Sequence, residues 1–174
     1  MSPRINAKFF KRGVQPLGQD LCVPLCLCVY VVKKLPWQGM ITKKFLDELT
    51  YKIIGGAIEV HKQLGPGLLE CVYQKCFIHE LCLRNLNFAS QLITPINYKG
   101  IILNADLRLD VLVEDFVIVE LKSMEGILPV HEAQILTYMK LLQKPKGILI
   151  NFNCTNIFNE GQKTLVNEYY AQLP

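Results

Sequence analysis

The sequence predicts an α/β fold: a helical first half, then strands, a further helix and a buried strand. Three observations predict it. Apolar residues recur at helical spacing across residues 45–83, the period shifts toward two from about residue 91, and an uninterrupted apolar run fills residues 147–152. The chain has 174 residues, enough for one α/β domain with a real core. It is 51% hydrophobic and 20% charged, which excludes a disordered polar chain.

Residues 1–39 differ from the rest. They hold an apolar run, 21–32, interrupted by Pro24 and flanked by basic residues. The run is too short for a bilayer, which needs about 20 apolar residues. It lacks the small-residue cleavage site of a signal peptide, since Lys33 and Lys34 follow it. Residues 1–39 therefore read as an extension outside the fold, with Met40 as the natural first residue if the start is mis-set. Residues 40–174 read as a single domain.

The first helix spans residues 45–64, with Leu46, Leu49, Ile53, Ala57, Val60 and Leu64 as its stripe. Asp47, Glu48, Lys52, Glu59, Lys62 and Gln63 form the wet face, and Gly65-Pro66-Gly67 ends it. A second helix follows over 68–83, with Leu69, Val72, Cys76, Leu81 and Leu83 as expected buried positions. Residues 91–98 read as a strand, where Pro95 argues for an edge or a bulge. Residues 101–113 and 116–122 are two more strands joined by a tight connection at Glu114-Asp115. Pro129 suits the first turn of a helix over 128–142. Residues 147–152 form a strand buried on both faces, and the tail offers turns and a short helix near 165–171.

Charge and cysteines limit the function. Residues 1–39 carry six basic side chains and one acid, leaving 13 basic and 14 acidic residues in the body. A protein gripping duplex DNA through its phosphates shows a basic surface; this body is near neutral. Nucleic-acid binding must then be local, metal-assisted or helped by a second copy or a protein partner. Seven cysteines occur without any Cys-x-x-Cys pair, which argues against a zinc site and for reduced thiols in a cytoplasmic setting. Phosphate-binding glycine loops and Ser/His/Asp arrangements are missing. Cys71 has His61 and His79 nearby in sequence, but nothing sets their geometry. His79 reads as a surface residue and His61 as a satisfied structural histidine.

Three residues carry chemistry: Asp110 in Arg-Leu-Asp-Val-Leu-Val, then Glu120 and Lys122 in Val-Glu-Leu-Lys. Residues 120 and 122 share a face of one strand. A loop of Glu114, Asp115 and Phe116 pairs Val113 with Val117 and sets Asp110 opposite Glu120. A two-residue loop would set it opposite Val119, on the wrong face, so the chemistry predicts an odd loop or a bulge. Two such carboxylates repel unless a cation lies between them. Mg²⁺ or Mn²⁺ would answer that with oxygen ligands and could activate water against a phosphodiester. Lysine would position the water or steady the developing charge. The bland reading is a hairpin with one buried Asp and an exposed Glu-x-Lys.

The string Gly67-Leu-Leu-Glu70-Cys-Val-Tyr73 resembles the pattern that names the GxxExxY protein family. The stretches 57–67 and 128–138 are similar to that family too, and the likeness runs from Met40 past Phe152. The family is placed in the PD-(D/E)XK nuclease superfamily, whose motif corresponds here to Asp110, Glu120 and Lys122; Leu109 replaces the usual proline. The resemblance implies a restriction-endonuclease-like core, a mixed four-stranded sheet flanked by helices. It also implies a Mg²⁺- or Mn²⁺-dependent nuclease acting on nucleic acid, and DNA is expected ahead of RNA as the substrate. Gln134 and Tyr138, four apart on the last long helix with His131 on the same face, look like the Gln-x-x-x-Tyr element of RecB-like members. Glu70 resembles the extra acid that members bring to the metal, with Glu59 as its competitor and a helix-dipole carboxylate as the bland account. The alternative function is a nuclease-fold protein that no longer cuts and serves as an interaction or nucleic-acid-binding module.

Overall fold

The computed structural model describes residues 41–103 and 107–174, so the expectation for residues 1–39 lies outside the described residues. Helix α1 (Lys43–Leu64) starts where the Thr42 hydroxyl accepts from the Phe45 amide at 3.1 Å. It ends at Gly65, whose φ of 68° suits glycine and whose N–H returns to the His61 carbonyl. Leu46, Leu49, Ile53, Ala57 and Val60 are buried as the helical spacing requires, while Leu64, the last helical residue, stays exposed.

Helix α2 (Glu70–Leu83) packs on α1, and here the expected stripe is displaced. Tyr73, Phe77 and Leu81 are the buried residues; Leu69, Val72 and Leu83 are exposed. The gap under this helix takes rings: Tyr73 stacks on Phe152 with centroids 4.4 Å apart and planes 4° apart. Of the fully buried set, periodicity assigns only Leu81, and Cys76 is half-buried.

Among the described residues, the main sheet has the order β1 (Phe88–Ile93), β4 (Arg108–Val113), β5 (Val117–Lys122), β6 (Lys146–Asn151) and β7 (Gln162–Val166). Strands β5 and β6 run parallel and the other pairs antiparallel. A parallel pair needs a crossover, which helix α3 (Pro129–Leu141) supplies. The mixed sheet flanked by helices is the expected architecture, with a fifth strand, β7, beyond the expected four. The expected strand over 91–98 is interrupted at Thr94-Pro95, and that over 101–113 is divided. Between them lies a separate hairpin, β2 (Ile96–Tyr98) with β3 (Ile101–Leu103). Pro95 has no N–H to donate, so pairing breaks there. Helix α4 (Glu168–Ala171), capped by the Asn167 side chain, ends the chain.

Each face of the sheet has its own core. Val111, Val113, Val117, Val119 and Leu121 pack toward α1 and α2, whereas Leu112 and Ile118 pack toward Ile135, Tyr138 and Met139 of α3. Strand alternation would keep Leu109 with Val111, yet Leu109 packs on the α3 side. Strand β1 does the same: Phe88 packs with the first core and Leu92 with the second. Both strands therefore rotate between these positions. The regular pairing skips the intervening step, where Gln91 (φ 55°) faces Asp110.

The turn after β6 is tight enough to test. A Cβ on Gly161 would lie 2.5 Å from the Cys154 sulfur and 2.8 Å from the Asn151 carbonyl oxygen. Gly161→Ala is expected to cost about 1–3 kcal/mol by overpacking, read as a lower melting temperature with unchanged helix content.

Candidate active site at the end of strand β5

The β4–β5 hairpin pairs Val113 with Val117, Leu112 with Ile118 and Val111 with Val119. Its loop is therefore Glu114, Asp115 and Phe116, the odd loop that the chemistry requires. Glu114 and Asp115 take φ of 51° and 63°, and the Glu114 carboxylate is held by the Asn87 backbone and side-chain amides. The regular pairing with β5 stops at Val111 and Val119, one residue short of Asp110. Asp110 Oδ2 accepts from the Leu121 amide at 2.9 Å, so its carboxylate reaches across to the next strand.

Glu120 is 1% exposed, on the α3 face with Ile118. Its Oε2 lies 3.5 Å from Lys122 Nζ, while Oε1 is buried with no hydrogen-bond partner among the described residues. Burial first, and then repulsion from Asp110, push the Glu120 carboxyl up to about 8; Lys122 opposes the shift. A buried carboxyl oxygen without a donor is costly, so this side chain lacks something its surroundings do not provide.

Glu70 comes to the same place from the other side of the sheet. It opens α2, and its carboxyl is raised by burial, lowered by Lys122, raised again by Asp110, and lowered by the Ser123 backbone and His131. Glu70 therefore feels the charges of Lys122 and Asp110 from the start of α2. Glu59 instead accepts from Gln63 on the outer face of α1, so the competitor is elsewhere.

The segment Gly67-x-x-Glu70-x-x-Tyr73 has a local explanation. Gly67 adopts φ 97°, in the region that favours glycine, and turns the chain into α2. The Tyr73 hydroxyl donates to the Gly65 carbonyl at 2.6 Å and accepts from the Leu68 amide at 3.1 Å. Ser123, just past Lys122, donates to the Leu68 carbonyl at 2.6 Å. Tyrosine thus clamps the turn that aims Glu70, and serine ties that turn to β5. Tyr73→Phe should cost about 1–2 kcal/mol, since it orphans both backbone groups, and should speed hydrogen exchange at the Leu68 amide.

Helix α3 covers the site from the opposite face. Tyr138, 3% exposed, donates to the Arg108 carbonyl at 3.1 Å. Gln134 donates to the Tyr138 hydroxyl at 3.4 Å, so its amide is directed along the helix. His131 Nδ1 accepts from the Leu128 amide at 3.0 Å. His61 bonds the Cys154 carbonyl and His79 is exposed, as expected for structural and surface histidines.

Sequence reasoning missed two supports. Asn151, paired with Lys122 across β5 and β6, holds the loop after β5 through both Met124 backbone groups. Gln74 donates to the Asp110 carbonyl at 3.4 Å. Neither residue type in isolation signals such a role. Burial and Glu160 push the Cys154 thiol up, opposite to what a thiolate nucleophile needs.

Among the described residues, no three His, Cys, Asp or Glu side chains are already gathered as a metal cage. The donor set nevertheless fits a hard divalent ion: oxygen ligands only, a repelling carboxylate pair, and a Glu120 oxygen with an unused lone pair. Asp110 and Glu120 could hold such an ion, with Glu70 as a third donor. Also among the described residues, no helix is long and apolar enough to cross a membrane.

Comparison with the curated proteins and with the solved structures finds no match. The family model of the PD-(D/E)XK nuclease superfamily matches residues 47–164, a span that includes both strands of the site, Glu70 and α3. The chain belongs to the PD-(D/E)XK nuclease superfamily.

Proposed function

We propose that the protein is a divalent-metal-dependent nuclease of the GxxExxY type, hydrolysing phosphodiester bonds in nucleic acid, DNA before RNA. The observation that carries this reading is the buried Glu120 carboxyl, held against Asp110 and Lys122 with one oxygen unsatisfied. A cluster of like charges inside a fold is destabilising unless a cation completes it. Asp110, Glu120 and Glu70 would hold Mg²⁺ or Mn²⁺, and Gln134 and Tyr138 would shape the α3 wall of the site. Once bound, the ion supplies polarisation of the phosphodiester and a lower pKa for its water. Lys122 contributes the ammonium that orients the attacking water and faces the negative charge growing on the phosphate oxygens. The water oxygen bonds to phosphorus as it gives up a proton to solvent, the bond to the leaving sugar oxygen breaks, and that oxygen takes up a proton from solvent to leave as a hydroxyl.

Near-neutral charge over residues 40–174 implies that affinity for the substrate comes from the site rather than from a broad basic surface. A homodimer or a protein partner would supply the rest of the grip. The test is an end-labelled single- and double-stranded DNA and RNA panel with Mg²⁺ or Mn²⁺, against the same panel with chelator. Cleavage that needs the metal supports the proposal. Intact substrates throughout would sink it and leave a non-cutting binding module.

A further inference from the structure

We infer that the β2–β3 hairpin is the contact surface of a homodimer, its apolar face packed on the same face of a second copy of this chain about a twofold axis. Mass alone tests this, without metal or substrate, so it goes beyond the nuclease reading and gives the homodimer a place on the molecule. Residues 85–103 hold a single charged side chain, Lys99. Monomers guard their edge strands with charges, proline or bulges. Both edges of the main sheet are guarded. Strand β7 carries Lys163, paired with Glu132 at 2.7 Å, and β1 is interrupted by the positive φ of Gln91 and followed by Pro95. The hairpin has no such guard. Strands β2 (Ile-Asn-Tyr) and β3 (Ile-Ile-Leu) contain no charge and no proline, and each leaves one edge unpaired among the described residues.

Register decides what the hairpin shows to solvent. Ile96 pairs with Leu103 and Tyr98 with Ile101, and paired or alternate residues share a face. One face is therefore wholly apolar: Ile96, Tyr98, Ile101 and Leu103. Nothing among the described residues covers it, since Tyr98 is 58% exposed, Ile101 62% and Leu103 45%. Among the described elements, β2 and β3 pack closely only on each other, and a lone two-stranded hairpin is marginal in water. With Ile93 at the end of β1, also exposed, these side chains leave apolar surface that a partner could take from water. Roughly 500 Å² per chain is at stake, so two copies cover roughly 1,000 Å², the least a specific interface needs and the size of a reversible one. A second copy fits because it brings the same apolar face and the same free edge, and a twofold contact is self-complementary. It also strips no charge of water. Lys99 lies at the turn, over its own Tyr98 ring at 5.4 Å, and antiparallel hairpins put the two turns at opposite ends.

Sedimentation equilibrium of the full chain should show a reversible monomer–dimer exchange with a midpoint on the order of micromolar, as an interface of this size gives. Hydrogen exchange at the amides of residues 96–103 should slow as the dimer fills. Ile101→Lys alters an exposed side chain, so the melting temperature should hold, yet dimerisation should weaken by at least about 100-fold because the change is met twice across the axis. Val166→Lys, on the other edge of the molecule, should dimerise like the parent. Should Ile101→Lys fail to fold, the concentration dependence of exchange in the parent decides. A parent that stays monomeric at about 100 μM overturns the inference, as does an Ile101→Lys chain that dimerises within about threefold of the parent. So does a dimer broken by Val166→Lys, or a ladder of ever larger species, which a closed twofold contact forbids. A monomer whose hairpin amides exchange slowly at every concentration shows that the chain's own residues cover the face, and overturns it too. Failure of the nucleic-acid panel to be cut removes the nuclease reading and leaves the dimer standing.

Discussion

Asp110→Asn is expected to abolish metal-dependent cleavage, with a loss of at least about 10³-fold, or ~4 kcal/mol of transition-state stabilisation, while the fold survives. The two halves of this expectation come from different atoms of one side chain. The Leu121 amide donates to Asp110 Oδ2 at 2.9 Å, and an asparagine carbonyl oxygen can accept that bond equally. What asparagine removes is the charge. The hairpin register is held independently by the Val111, Leu112 and Val113 pairs, so circular dichroism and melting temperature should stay near those of the parent. A variant that unfolds, or one that cuts at the parental rate, would show that Asp110 has a structural role and nothing more.

Without metal, stability is expected to fall as pH rises from about 5 to 8.5, and Glu120→Gln should remove most of that fall. Glu120 is raised from its ordinary value to about 8 in the folded state, by burial and by Asp110. The unfolded chain releases this proton near the ordinary value, whereas the folded chain keeps it. The stabilising contribution is therefore complete below the unfolded pKa and is lost as pH climbs through the folded one. The size is on the order of a few kcal/mol, a drop of roughly 5–10 °C in melting temperature for a domain of this length. Glutamine mimics the protonated acid, so the variant should melt higher than the parent at pH 8.5. Mn²⁺ should raise the parent's melting temperature at that pH and leave the variant's unchanged. A parent with flat stability over this range would mean that Glu120 is ionised and satisfied.

The elements most legible in the sequence are those where burial and periodicity agree. Helix α1 shows its stripe because one face packs on the sheet and the other is wet. Strand β6 shows as an apolar run because both its faces are covered. Strand β7 was invisible: in Gln162–Val166 only Leu165 packs against a core, and backbone pairing to β6 holds the rest. Helix α2 misleads because Val72 and Leu83 lie outward while Tyr73 and Phe77, with Leu81, fill the gap beneath it. In the site, the hairpin register could be deduced because only one loop parity brings residues 110 and 120 together. The rotation at Gln91 and Asp110 could not, since a positive φ at glutamine leaves no mark in composition. Glu70 is separable from Glu59 only because the turn that starts α2 is tied to Ser123 and its carboxyl feels Lys122.

At the centre of this reading, half-buried Asp110 of β4 and buried Glu120 of β5 form a place for a divalent ion. Calorimetric titration of Mn²⁺ into the parent, Asp110→Asn and Glu120→Gln tests it most directly. Saturable binding to the parent, lost in both variants, is the predicted result. A parent that takes up no Mn²⁺, or variants that bind it as well as the parent, would contradict the account.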